Sequence, residues 1–257
     1  MSDLTAHIQH SGFSAKNSMC QNRHPSISLM SEATEEFFAA FAVKNTKFRL
    51  TLCGENESLE LSDELIEQLK GREDGDFWIT FFKEPHWGGV TAQSRPQNRR
   101  DEWITSRQSV MSLLNQFNLN GPLQMSLSHS KGLVFVALSE SFEPIGVDLE
   151  QGGRQISPAL QKRLIAAEEK ALLPGSFAPL GVWVAKEAAY KATPSAFQNT
   201  IGDYRICKIV PSQSPNADNV AWDLLIQKTS ALEPLVLETR VCLIQGWWLA
   251  FAKRHGV

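Results

Sequence analysis

From residue 123 to residue 253 the chain alternates between two kinds of short run, and their order constrains its fold more than any other feature. "LQMSLSHS" and "KGLVFVALS" read as two strands with a tight turn at "HSKG", and residues 144–150 as a third. Helices are expected over about 157–173 and 181–193. Three strand-like runs close the chain: "DYRICKIV", "VAWDLLIQ" and the long "LVLETRVCLIQGWWLAFAK". β-branched and aromatic residues carry the strand readings, and apolar spacings of three and four the helical ones. Upstream, residues 32–42 read as an amphipathic helix and "KFRLTLC" as a strand. "SDELIEQLKG" is a helix capped by Ser62 and stopped at Gly71, and "DFWITFFKE" (76–84) reads as a strand. A basic loop with Arg95, Arg99 and Arg100 then leads into a helix whose Trp103, Val110, Leu113, Leu114 and Phe117 share a face. The order predicts an α+β protein of two successive units, each with one or two helices and about three strands. The seam falls near 140–144, giving a polar arm over 1–30, a first unit over 31–140 and a second over 141–257.

Composition narrows the function classes. A net charge of −3 gives no global attraction to nucleic acid or an anionic membrane, and "SRPQNRR" lacks interleaved aromatics. Cys20, Cys53, Cys207 and Cys242 are scattered with no CxxC pair, which disfavours a zinc site or a disulfide framework. The N-terminus "MSDLTAHIQH" has no apolar core of the signal-peptide kind. Apolar runs such as "WWLAFA" fall short of the ~20 residues that span a bilayer. A soluble cytoplasmic protein is expected. No GxxxxGK(S/T) loop occurs, which disfavours nucleotide hydrolysis.

Two stretches carry chemistry. In "IGVDLEQGGRQ" (145–155), Asp148 and Glu150 lie two apart, so on a strand they share a face. Paired carboxylates repel unless a cation lies between them, and Mg²⁺ binds through one or two carboxylates plus substrate phosphates. The plain alternative is Asp148 capping a turn with Glu150 in solvent. In "VWVAKEAAYKA" the helix brings Lys186, Glu187, Tyr190 and Lys191 within one and a half turns, with Glu187 and Lys191 on one face. Alone, that is an ordinary surface ion pair. Together, three carboxylates and adjacent lysines suit a Mg²⁺ and phosphate site for phosphoryl-type chemistry.

In this order "SHS" (128–130), "IGVDLE" (145–150) and "WVAKEAAYK" (183–191) resemble the 4′-phosphopantetheinyl transferases, in the larger two-lobed type that activates carrier proteins of fatty-acid, polyketide, siderophore and peptide synthases. The likeness covers about residues 95–193; it departs at Val184, where the family has a small polar residue. It implies two similar lobes, each a small mainly antiparallel sheet with packed helices, forming a pseudo-dimer and therefore a monomer. The active site would lie in the cleft between them. It implies transfer of phosphopantetheine from coenzyme A to a serine of an apo acyl or peptidyl carrier protein, a holo-acyl-carrier-protein synthase activity. By resemblance Asp148, Glu150 and Glu187 hold Mg²⁺ (or Mn²⁺), Glu187 is also the general base, and Lys191 neutralises the cleaving pyrophosphate. Lys186 is a second phosphate or structural contact. Ser128 and His129 match contacts to the CoA 3′-phosphate, as do Arg107 and Arg100, with Arg99 an alternative to Arg100. Glu169 or Glu168 matches a glutamate after the first helix of the second lobe. The stretch 156–173, with Arg154, Lys162, Arg163 and Lys170, is the candidate carrier-docking patch. The rival reading is an inactive relative that binds CoA or a carrier protein; the intact Asp148, Glu150, Glu187 and Lys191 argue against it.

Overall fold

The computed structural model describes residues 46–53, 63–72, 97–117, 119, 123–198, 200–212, 220–229 and 234–256, with Met30, Glu32, Thr34, Glu35, Phe37, Phe38, Trp78, Phe81 and Phe82 besides. The expected arm over 1–30, the cap at Ser62 and the loop residue Arg95 lie outside the described residues, Met30 excepted. The architecture is α+β with two antiparallel sheets. No described helix is long and apolar enough to cross a membrane.

The first sheet has the order β1-β3-β2. β1 spans Thr46–Leu52, β2 Gln124–Ser130 and β3 Leu133–Ser139. The β2–β3 turn is the pair Lys131-Gly132, with φ of 50° and 81°. Positive φ at both positions is the two-residue turn whose twist suits a hairpin. β3 is buried along its whole length, because both of its faces are covered. Val134, Val136 and Leu138 pack against Val110, Leu113 and Leu114 of the long helix. Leu133, Phe135 and Ala137 face Phe37, Phe38, Phe48 and the second sheet.

That helix, α2, spans Gln97–Phe117, while the shorter α1 spans Asp63–Lys70. α2 begins earlier than the spacing of apolar residues suggests. Arg99 and Arg100 lie in its first turn rather than in a loop. The 76–84 expectation is also corrected: the described Trp78, Phe81 and Phe82 are helical, not extended. Their spacing of three and four is a helix face, and they bury it against Leu113 and Val134. Aromatic content suggested a strand where periodicity favoured a helix.

The second sheet has the order β4-β8-β7-β6-β5. β4 spans Ile145–Gln151, β5 Tyr204–Ser212, β6 Val220–Lys228, β7 Leu235–Ile244 and β8 Trp247–Arg254. The long closing run is two strands, since Gln245 (φ 48°) and Gly246 (φ 80°) form a second two-residue hairpin turn. This sheet therefore has five strands against three in the first, instead of about three in each. The helical stretch expected over 157–173 is two helices, α3 (Pro158–Leu164) and α4 (Ala167–Lys170), with Ile165 extended between them. Ser157 caps α3 and Pro158 opens it. A Glu169 oxygen accepts from the Ala166 N–H at 2.7 Å and closes the start of α4.

α5 (Pro179–Lys191) is the element that matters for function. It lies across one face of the five-stranded sheet, burying Leu180, Val182, Val184, Ala185, Ala188 and Ala189 against Trp222, Trp248, Ala250 and Ala252. On the opposite face Ile145, Val147, Leu149, Leu249 and Phe251 join the core shared with β3. Strand alternation therefore turns Gly146, Asp148 and Glu150 toward the α5 side. Gly146 lets the helix sit directly on β4. A Cβ there would overlap Ala188 O and lie 2.6 Å from Ala192 N.

Candidate active site

β2 and β4 are edge strands of different sheets. They lie alongside each other in the same direction, joined through side chains. Ser126 Oγ accepts from the Val147 N–H at 2.9 Å, Ser128 Oγ donates to Asp148 Oδ1 at 2.7 Å, and Ser130 Oγ donates to Glu150 Oε2 at 2.9 Å. Lys191 crosses this seam from the last turn of α5. Its ammonium donates to Asp148 Oδ1 at 2.8 Å and to the carbonyls of Val147 at 3.0 Å and Leu127 at 3.5 Å. The Arg154 guanidinium donates to Glu150 Oε1 and lies 5.8 Å from the centre of the Trp183 ring on α5.

The half-buried positions of α5 are Pro179, Trp183, Glu187, Tyr190 and Lys191, a single stripe at helical spacing. Burial pushes the Glu187 carboxyl above the usual carboxylate range. The Asp148 charge pushes in the same direction, and Lys191 and Arg154 partly offset it. The structure thus brings together Asp148, Glu150, Glu187, Lys191 and Ser128 from three separate stretches of sequence. Among the described residues no three carboxylate, imidazole or thiolate groups converge closely enough to hold a metal ion. Each β4 carboxylate is instead neutralised by a protein cation, Lys191 on Asp148 and Arg154 on Glu150.

The donor set nevertheless fits a hard divalent cation. All three acidic side chains offer oxygen only. Asp148 Oδ2 is buried and has no hydrogen-bond partner among the described residues, and a buried unpaired carboxylate oxygen is costly unless something positive is placed against it. Asp148 Oδ2 and Glu187 are the open contacts, while Glu150 Oε1 is held by Arg154.

Other expected site residues have different surroundings. His129 is 31% exposed, with Nδ1 3.1 Å from Glu102 Oε2 of α2. Arg100 is exposed on the first turns of α2. Arg107 is buried, with its guanidinium 4.0 Å from the Phe81 ring centre and 3.9 Å from that of Trp103. Its Nε donates to Phe81 O at 3.1 Å and Nη1 to Ser106 Oγ at 2.9 Å. Lys186 is 0% exposed, 2.6 Å from Glu169 Oε1 and donating to Leu164 O at 2.6 Å. Glu169 Oε1 also accepts from the Ile206 N–H at 2.8 Å, whereas Glu168 is exposed. This buried knot ties α3, α4, α5 and β5 together. Val184 is core. Sequence reasoning missed Ser130, Glu102 and the role of Arg154, which it assigned to a docking patch. The period-two serines of "MSLSHS" were the available signal for Ser130.

The fold and seam define a class: an α+β protein that sets carboxylates and a lysine against one another at the junction of two sheets. Residues 144–240 match the family model of the 4′-phosphopantetheinyl transferase superfamily. That segment runs from β4 into β7 and holds both "IGVDLE" and "WVAKEAAYK", so the match falls on motifs that carried the resemblance. None of the curated proteins compared with the chain matches it.

Proposed function

We propose that the chain transfers the 4′-phosphopantetheine group of coenzyme A to a serine of an apo acyl or peptidyl carrier protein. The products are the holo carrier and adenosine 3′,5′-bisphosphate. The observation that carries this reading is Lys191 on Asp148 across the seam, beside Glu187, within the segment that matches the superfamily.

The carrier serine Oγ attacks the pantetheine-side phosphorus of the CoA pyrophosphate. The bond from that phosphorus to the bridging oxygen breaks, and the electron pair leaves with the bisphosphate. Glu187 takes the serine proton, directly or through one water; a carboxylate whose proton affinity is raised by burial and by Asp148 is a better base than an exposed one. A bound Mg²⁺ or Mn²⁺ supplies charge neutralisation at the pyrophosphate, held by Asp148, Glu150 and Glu187. Lys191 reaches the same region as a mobile point charge and stabilises charge developing on the bridging oxygen. His129, with Nδ1 beside Glu102, is the candidate contact for the CoA 3′-phosphate. Arg100, exposed nearby in sequence on α2, suits the same end of CoA. Lys186 and Arg107 are assigned structural roles because both are buried and partnered. On this reading the chain is a cytoplasmic monomer with lobes over 31–140 and 141–257 and the CoA site between them.

Chromatography of adenosine 3′,5′-bisphosphate tests the reaction. Release should require CoA, Mg²⁺ and an apo carrier, and should stop when the carrier serine is replaced by alanine. CoA binding without bisphosphate release across several carriers would instead favour a non-catalytic relative.

A further inference from the structure

The three serines of β2 stand at positions i, i+2 and i+4, so one strand face carries three hydroxyls. They do unlike things. Ser126 accepts a backbone N–H from β4 and touches no carboxylate among the described residues, which makes it a seam contact. Ser128 and Ser130 donate their single protons to Asp148 Oδ1 and Glu150 Oε2. Glu150 is buried, with one oxygen on Ser130 and the other on Arg154. Asp148 is held at Oδ1 by Ser128 and Lys191, which leaves Oδ2 as the open oxygen. The serines thus occupy one oxygen of each carboxylate, Oδ1 of Asp148 and Oε2 of Glu150.

We propose that Ser130, with Ser128 beside it, is a positioning residue that aims the β4 carboxylates at a divalent cation. This rests on the proposed cation site. With a cation bound, Ser130 would hold Oε2 and Glu150 would offer Oε1 in place of its contact with Arg154. Hydrogen-bonded partners behind metal ligands commonly contribute about 10- to 100-fold to metal affinity.

The test is Mn²⁺ titration of the full chain without CoA, followed by the electron paramagnetic resonance of free Mn²⁺. The proteins are wild type, Ser130→Ala, Ser130→Thr, Ser126→Ala and Asp148→Asn. Ser130→Ala should weaken Mn²⁺ binding about tenfold, Ser130→Thr should restore it, and Ser126→Ala should lower thermal stability with Mn²⁺ affinity intact. In turnover, Ser130→Ala should raise the Mg²⁺ concentration for half-maximal rate and leave the saturated rate within about twofold, since affinity and not chemistry is lost. Equal Mn²⁺ affinity in Ser130→Ala and wild type overturns the positioning role, as does an equal loss in Ser126→Ala. Asp148→Asn binding Mn²⁺ as wild type does would overturn the cation site itself, a separate failure.

Discussion

At the residue scale, the buried Lys186–Glu169 pair and the half-buried Cys53 contribute to stability in different ways. Lys186 and Glu169 are both fully buried and satisfy one another. Removing one partner of a buried pair leaves an uncompensated charge, at a cost of about 3–5 kcal/mol. Lys186→Ala should therefore lower the unfolding free energy by about that amount, read from denaturant titration, and Glu169→Gln should be comparably severe, because it leaves the Lys186 ammonium without a countercharge and turns an amide N–H₂ toward N–H donors. A Lys186→Ala protein as stable as wild type would show that the knot is not structural. Cys53 gives a pH signature. Burial pushes its thiol from 9.0 up to about 11, aided by Glu102 and Asp101 and opposed by a hydrogen bond with Thr105. The folded value exceeds the unfolded one, so the contribution is present below about pH 9 and is lost as pH rises toward 11. The stability of wild type should fall relative to Cys53→Ala across that window in paired denaturation curves; parallel curves would contradict it.

At the element scale, the site depends on how closely α5 lies on β4. Gly146 removes the side chain that would hold them apart. Gly146→Ala should cost at least the 1–3 kcal/mol typical of overpacking (an approximate range). It should also reduce transfer, because the displaced helix carries Glu187 and Lys191 away from Asp148. A stable, fully active Gly146→Ala protein would mean that the register of α5 on β4 does not set the chemistry. The glycine is also where sequence reading reached its limit. Asp148 and Glu150 on one face followed from strand periodicity alone, and Glu187 beside Lys191 from helical periodicity. Which face of β4 meets α5 did not, because Gly146 is silent about its neighbour until the helix is placed. The aromatic stretch around Trp78 misled for a related reason: β-propensity reports how a residue packs, and Trp78, Phe81 and Phe82 bury the same surface from a helix.

At the scale of the whole molecule, two edge strands are joined by side chains where main-chain pairing would be usual. Exposed edges invite pairing with other chains, and here serine hydroxyls and the Lys191 ammonium occupy the junction of β2 and β4. The α+β class was legible from the order of runs. The inequality of the sheets was not, because Gln245-Gly246 interrupts a continuous apolar run that reads as one long strand. Long-range partners such as Glu102 for His129, or Phe81 for Arg107, depend on how α2 crosses the first sheet, and no local spacing encodes that. These features have consequence only if the seam performs the transfer. The most direct measurement is intact-mass spectrometry of an apo carrier protein incubated with CoA, Mg²⁺ and either wild type or Glu187→Gln. The account predicts a gain of one phosphopantetheine with wild type and a rate at least about 100-fold lower with Glu187→Gln, the scale of a lost general base. A carrier mass unchanged by wild type across several carriers, or an equal gain with both proteins, would contradict it.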